Sequence, residues 1–220
     1  DWDIADLRYN TIRWTTGMPF AIALFRANPV TGEILNACIN MDAGFASSGA
    51  YTYDQVLDPA AFSLKQSASP LSKWSYKYCD LAQEGQMTKT IGQYAAELLT
   101  PPGMSFNKKQ YTDQYISEVV AHEFGHCLGL RHNFVASTQF SLKELGDQSI
   151  VGAYGQGASV MVYNIFNPAA IGKKGVDFYS QRIGTYDKWA IQYGYGTIAA
   201  DSTKAEVPDL KRIASQGSLP

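Results

Sequence analysis

All three histidines of this 220-residue chain fall within eleven consecutive positions, His122-Glu123-Phe124-Gly125-His126-Cys127-Leu128-Gly129-Leu130-Arg131-His132. On an α-helix, residues four apart are separated by about 400° of rotation and so stand only about 40° apart around the axis. His122 and His126 therefore project from one helical face, one turn apart, as two ligands of a single ion must. Glu123 follows the first imidazole directly, where it can flank such an ion and reach a water on it without being a ligand. If the helix continued, position 132 would be carried around the axis and away from that face. Gly129 has no Cβ, can take the left-handed conformation that ends a helix, and so lets His132 come back towards the ion from below. Three neutral imidazoles with one open position describe a catalytic zinc site, whereas structural zinc sites close with four protein ligands.

The rest of the composition narrows the setting. A length of 220 residues suits one sizeable domain, or a core with two unequal lobes about a cleft. With 45% apolar and 17% charged residues the chain reads as an ordinary globular protein, and its net charge of −2 argues against a broad nucleic-acid or anionic-membrane footprint. The longest apolar runs, such as residues 20–25, are far too short to span a bilayer. Cys38, Cys79 and Cys127 read as buried small hydrophobes, with one disulfide and one spare thiol as the alternative.

Short strand-like runs open the chain. Residues 7–14 read as a strand, and residues 19–28 and 33–42 as a hairpin closed by Pro29-Val30-Thr31-Gly32. Residues 43–57 are small and polar, as in a loop. A helix is predicted over 79–99, with Met87, Ile91, Tyr94 or Ala95, and Leu98 on one face, stopped by Thr100-Pro101-Pro102-Gly103. The metal-binding helix is predicted from about Thr112 or Asp113, through Ile116, Val120, Phe124 and Cys127 or Leu128, to Gly129. The glycines of 152–157 read as a loop, residues 185–193 as a short helix closed by Gly194, and the tail from 197 as weakly patterned.

The elongated histidine pattern resembles that of the metzincin clan of zinc metallopeptidases. Ser159-Val160-Met161-Val162-Tyr163, with Met161 lying 29 positions after His132, is similar to the methionine-containing turn of that clan. The resemblance implies that Met161 makes an apolar floor under zinc. It also implies that Tyr163, like the tyrosine of astacin-like and serralysin-like members, binds the metal at rest and swings to the oxyanion during turnover. More narrowly, the chain resembles large bacterial zinc-dependent metalloproteases whose catalytic domain is flanked by domains of unknown function. That likeness runs in short blocks, among them residues 7–14, 28–35, the helix around Cys79-Asp80, 129–134 and 186–195.

The resulting expectation is an α+β, metzincin-like, two-lobed domain. Its upper lobe, about residues 1–129, would carry a twisted mixed sheet and the active-site helix. Its lower lobe, about 130–220, would be irregular around the methionine turn. The second hairpin strand, 33–42, is the candidate edge strand onto which an extended peptide adds. The expected activity is zinc-dependent endopeptidase chemistry on a protein or peptide substrate, with one zinc ion and Glu123 as general base and acid. A zinc hydrolase of a non-protein amide, or a catalytically silent metal-containing binding module, would carry the same motif; Glu123 speaks against the second. The resemblance further implies an extracytoplasmic protein. Metzincins begin with a strand and a long backing helix, and none precedes residue 7 here, so the chain reads as an excised piece of a longer protein. Nothing in the sequence bears on calcium.

Overall fold

Asp6 sets where the first strand can begin. Its carboxylate accepts the Arg8 backbone N–H at 3.0 Å and the Arg8 guanidinium at 2.6 Å, which curls the chain into a turn before any ladder forms. Strand β1 is therefore Thr11–Thr15, four residues later than the apolar run suggests. In this computed structural model, which describes residue 3 and residues 5–16, 20–46 and 81–217, two further strands follow. These are β2, Ile22–Ala27, and β3, Ile34–Asp42.

The predicted hairpin forms. Gly32 takes a φ of +76° and donates to the Asn28 carbonyl at 2.8 Å, while the Asn28 side chain accepts from Val30. β2 runs antiparallel to β3 with Ala23 opposite Ile39, and β1 runs parallel to β3 with Ile12 opposite Ile39. The order is thus β1-β3-β2, a mixed sheet. This corrects the edge-strand expectation: β3 is central, with a neighbour on each side, and β2 is the outer member of the hairpin. β3 is central because its run Cys38, Ile39, Asn40 and Met41 is buried throughout, as a strand covered on both faces should be.

Six α-helices lie among the described residues: α1, Leu81–Leu99; α2, Lys108–Cys127; α3, Leu142–Leu145; α4, Gln148–Tyr154; α5, Thr185–Tyr195; and α6, Thr203–Gln216. With the sheet they make an α+β fold. Helix α1 shows the opposite face from the one predicted. Ile91, Tyr94 and Leu98 are exposed, Leu98 by 82%, while Lys89, Gln93 and Ala96 are buried. Gly92 explains the choice, since a Cβ there would come within 2.3 Å of the Phe166 ring and 2.5 Å of the Tyr111 hydroxyl. The helix packs through its glycine side, and buried Lys89 satisfies its ammonium on the Phe45 carbonyl at 2.8 Å and over the Tyr115 ring. The side chain of Met87, residue Cys79 and residues 47–57 of the predicted loop lie outside the described residues.

Helix α2 starts at Lys108, earlier than predicted, because Asn107 caps it by accepting the Gln110 N–H at 3.0 Å. It packs on β2 and β3, with Tyr111, Tyr115, Val119 and Cys127 in the core beside Ile39, Met41, Phe45 and Tyr179. Phe124, predicted for the core stripe, is 53% exposed. Gly152 lies inside α4 rather than in a loop, and α5 runs two residues past its predicted end, to a cap at Gly196. The tail holds α6, which was not predicted. Pro208 interrupts its pattern, and its partner is remote: Trp189 of α5 donates to the Ile213 carbonyl at 2.7 Å. Cys38 and Cys127 are buried and not disulfide-bonded, as read for small hydrophobes. No helix among the described residues is long and apolar enough to cross a membrane.

Candidate metal centre

Helix α2 delivers His122 and His126 one turn apart, and the way the helix ends delivers the third imidazole. Gly129 adopts φ +83°, its N–H donates to the His126 carbonyl at 2.9 Å, and the Leu130 N–H donates to the Gly125 carbonyl at 3.0 Å. That is a Schellman cap, in which a left-handed residue satisfies the last carbonyls of the helix and reverses the chain. His132 thereby returns to the histidine face. The ligand-type nitrogens of His122, His126 and His132 all lie within 4.8 Å of one another.

Each ring on the helix is locked through its far nitrogen. Nδ1 of His122 lies 2.8 Å from the Val160 carbonyl, and Nδ1 of His126 lies 3.0 Å from the Leu130 carbonyl. A carbonyl only accepts, so both rings carry their proton on Nδ1 and leave the Nε2 lone pair for an ion. The cap that ends the helix thus also orients the second imidazole. Burial, reinforced by the neighbouring His126 and His132, pushes the His122 pKa down to about 3. Burial lowers His126 as well, and burial with the His126 charge lowers His132. All three rings are therefore held neutral, the form a metal ligand needs.

The donor set fits zinc. Zinc–nitrogen bonds of about 2.0–2.1 Å in a tetrahedron place neighbouring nitrogens ~3.3 Å apart. His126 Nε2 and His132 Nε2 stand 3.1 Å apart, close to that spacing. The Tyr163 hydroxyl lies 3.1 Å from His132 Nε2, and its ring packs edge-on to His132 at 4.7 Å between centroids. Glu123 is buried next to His122. The sequence-predicted residues His122, His126, His132 and Tyr163 are thus brought together, and Glu123 is buried in the same helical turn as His122.

Met161 is fully buried, and its sulfur packs against Gly125, between the two helical histidines, where a Cβ would meet it at 2.3 Å. The methionine segment and the segment after the third histidine are tied to each other, with Asn133 N–H donating to the Met161 carbonyl at 2.9 Å.

Sequence reasoning missed the residue beneath that segment. Asp187, 1% exposed at the third position of α5, accepts the Val160 N–H at 2.7 Å, the Gly184 N–H at 3.1 Å and the Ser159 hydroxyl. Ser159 in turn accepts the Met161 N–H at 2.9 Å. A continuous path therefore runs from the Asp187 carboxylate through the Ser159 hydroxyl and the Val160–Met161 peptide to Nδ1 of His122. The only local signal was an acid in the first turn of a predicted helix, which reads as a cap.

Comparison with known proteins adds one finding. No curated protein and no solved structure matches the chain. The family model described as Met-zincin matches residues 104–219, which is 116 of the 220 positions and takes in the histidine helix, the methionine segment and α5. That family, with its histidine triad, suggests a zinc metallopeptidase. By that match the chain belongs to the Met-zincin family.

Proposed function

We propose that this chain is a zinc-dependent endopeptidase in which His122, His126 and His132 hold one zinc ion and Glu123 moves the proton. The observation that carries the reading is the set of three neutral imidazoles converging through their Nε2 atoms, two of them locked by Nδ1–H bonds to carbonyls. Bound zinc would lower the pKa of a water towards neutrality and polarise the scissile carbonyl.

The chain supplies the rest. The Glu123 carboxylate accepts the proton of the attacking water and returns it to the leaving amine, so the acid ends each turnover ionised as it began. Its burial supports that role, since the carboxylate is sheltered from bulk solvent. The Tyr163 hydroxyl, within 3.1 Å of His132 Nε2, donates to the oxygen on which charge develops. Met161 and Gly125 keep the helix and the methionine segment in close contact, which holds the imidazoles rigid. Extended peptide adds along β2, the outer strand of the hairpin and the one that packs on α2. In this reading residues 1–220 form one catalytic domain, with lobes divided near residue 130, acting outside the cytoplasm beside further domains.

The test pairs elemental mass spectrometry with cleavage of a fluorogenic peptide library, with and without chelator. One zinc per chain and chelator-sensitive cleavage are expected, and Glu123→Ala should keep zinc while losing about 10²–10⁴-fold in kcat. Undiminished hydrolysis by that variant would remove Glu123 from the mechanism.

A further inference from the structure

Helix α2 buries a second acid that the proposed chemistry does not use. Glu118 lies four residues before His122, so the helical turn sets it on the same side of α2, one turn from the metal centre. It is 7% exposed. The Asn164 side-chain amide donates to its Oε1 at 2.9 Å, and the Ser180 backbone N–H is its other donor. None of the ion pairs among the described residues includes it. Asn164 directly follows Tyr163, in a stretch that is neither helix nor strand.

We propose that Glu118 and Asn164 form a half-buried clip that positions Tyr163 against the metal centre. The inference rests on the peptidase reading for the task it gives Tyr163. One residue of backbone separates the clip from the carbon that bears the phenol, so holding Asn164 to α2 fixes the origin of the tyrosine side chain relative to the histidines on that helix. The ring is then free to rotate only about its own bonds, between the 3.1 Å contact with His132 and the oxygen of a substrate. A carboxylate is an expensive choice for a tether of packing alone. Burial pushes the Glu118 pKa up to about 7, against the two hydrogen bonds that lower it, and such perturbed acids concentrate where geometry serves a reaction. Glu118 and Asn164 are positioning residues and touch no substrate atom.

The test uses the zinc-loaded full chain in four forms besides wild type: Asn164→Ala, Asn164→Asp, the exchanged pair Glu118→Gln with Asn164→Asp, and Tyr163→Phe. The first readout needs no turnover. The aromatic carbon–proton signals of Tyr163, identified by their loss in Tyr163→Phe, should move in Asn164→Ala and in Asn164→Asp with zinc still at one per chain. They should return towards the wild-type position in the exchanged pair, where the new glutamine donates to the new carboxylate and still accepts from Ser180. The second readout is kinetic. Asn164→Ala should lower kcat by about 10-fold, within the 10–100-fold range typical of residues that orient a metal centre, with little change in KM. That factor should vanish when Tyr163 is already phenylalanine. Unmoved Tyr163 signals, or a kcat loss that multiplies in full with that of Tyr163→Phe, would overturn the clip. If Asn164→Ala fails to fold, the exchanged pair against Asn164→Asp decides by the same signals. Absence of peptide cleavage by the wild type would sink the peptidase reading alone, and the Tyr163 signals would still decide whether the clip sets that residue.

Discussion

Replacing Asp187 with asparagine tests whether the methionine segment is held from beneath. The carboxylate takes three donors: the Val160 and Gly184 N–H groups on one oxygen and the Ser159 hydroxyl on the other. Asparagine keeps one acceptor oxygen, which can stay on the two backbone N–H groups. Its amide nitrogen then faces Ser159, whose oxygen already accepts from Met161, so the serine must turn its own proton away. Two charge-assisted bonds become neutral, at about 1 kcal/mol each, and a buried hydroxyl proton loses its acceptor, at roughly 1–3 kcal/mol. The metal-free Asp187→Asn protein should therefore be less stable by about 3–5 kcal/mol. Because Ser159 holds the Met161 N–H of the peptide whose carbonyl, that of Val160, meets Nδ1 of His122, zinc affinity should fall as well, by ~10-fold or more. Urea unfolding of the metal-free protein and competitive zinc titration read the two effects. A variant within about 0.5 kcal/mol of wild type, with zinc affinity unchanged, would refute the path from Asp187 to His122.

Two further outcomes follow from the same structure. Gly125→Ala places a methyl group 2.3 Å from the Met161 sulfur in a fully buried site; it should cost about 1–3 kcal/mol and weaken zinc binding, and Met161→Ala in the same chain should recover part of the loss. The metal-free protein should also show opposed pH terms. His122 falls from 6.5 to about 3 on folding, so its stabilisation is complete above pH 6.5 and is lost as pH falls towards 3, at ~1.4 kcal/mol per pH unit. Glu118 rises from 4.5 to about 7, so its contribution is present in full below pH 4.5 and is lost as pH rises through 7. Between pH 6.5 and 4.5 the two offset each other. Glu118→Gln should therefore lose stability on acidification more steeply than wild type, and equal urea-midpoint slopes for the two proteins would contradict the assignment.

The features legible before folding are local ones. The four-residue spacing of His122 and His126, the reversal at Gly129 and the turn at Gly32 each depend on neighbours a few positions away, and the backbone has few ways to satisfy them. The triad and the hairpin were legible for that reason. The tertiary structure decided which faces are covered. Gly92 turned the polar side of α1 inward, against Phe166 and Tyr111, and Trp189 gave a proline-interrupted tail a surface on which to become α6. It also decided that β3, not β2, is central, since strand order depends on pairing with a segment more than twenty residues distant. The supports of the metal centre belong to the same class. Val160 lies 38 residues from His122, Asp187 27 from Val160 and Asn164 46 from Glu118. A buried acid reads as an ordinary surface charge or helix cap until its distant donors close on it, and only folding brings those donors within hydrogen-bond reach.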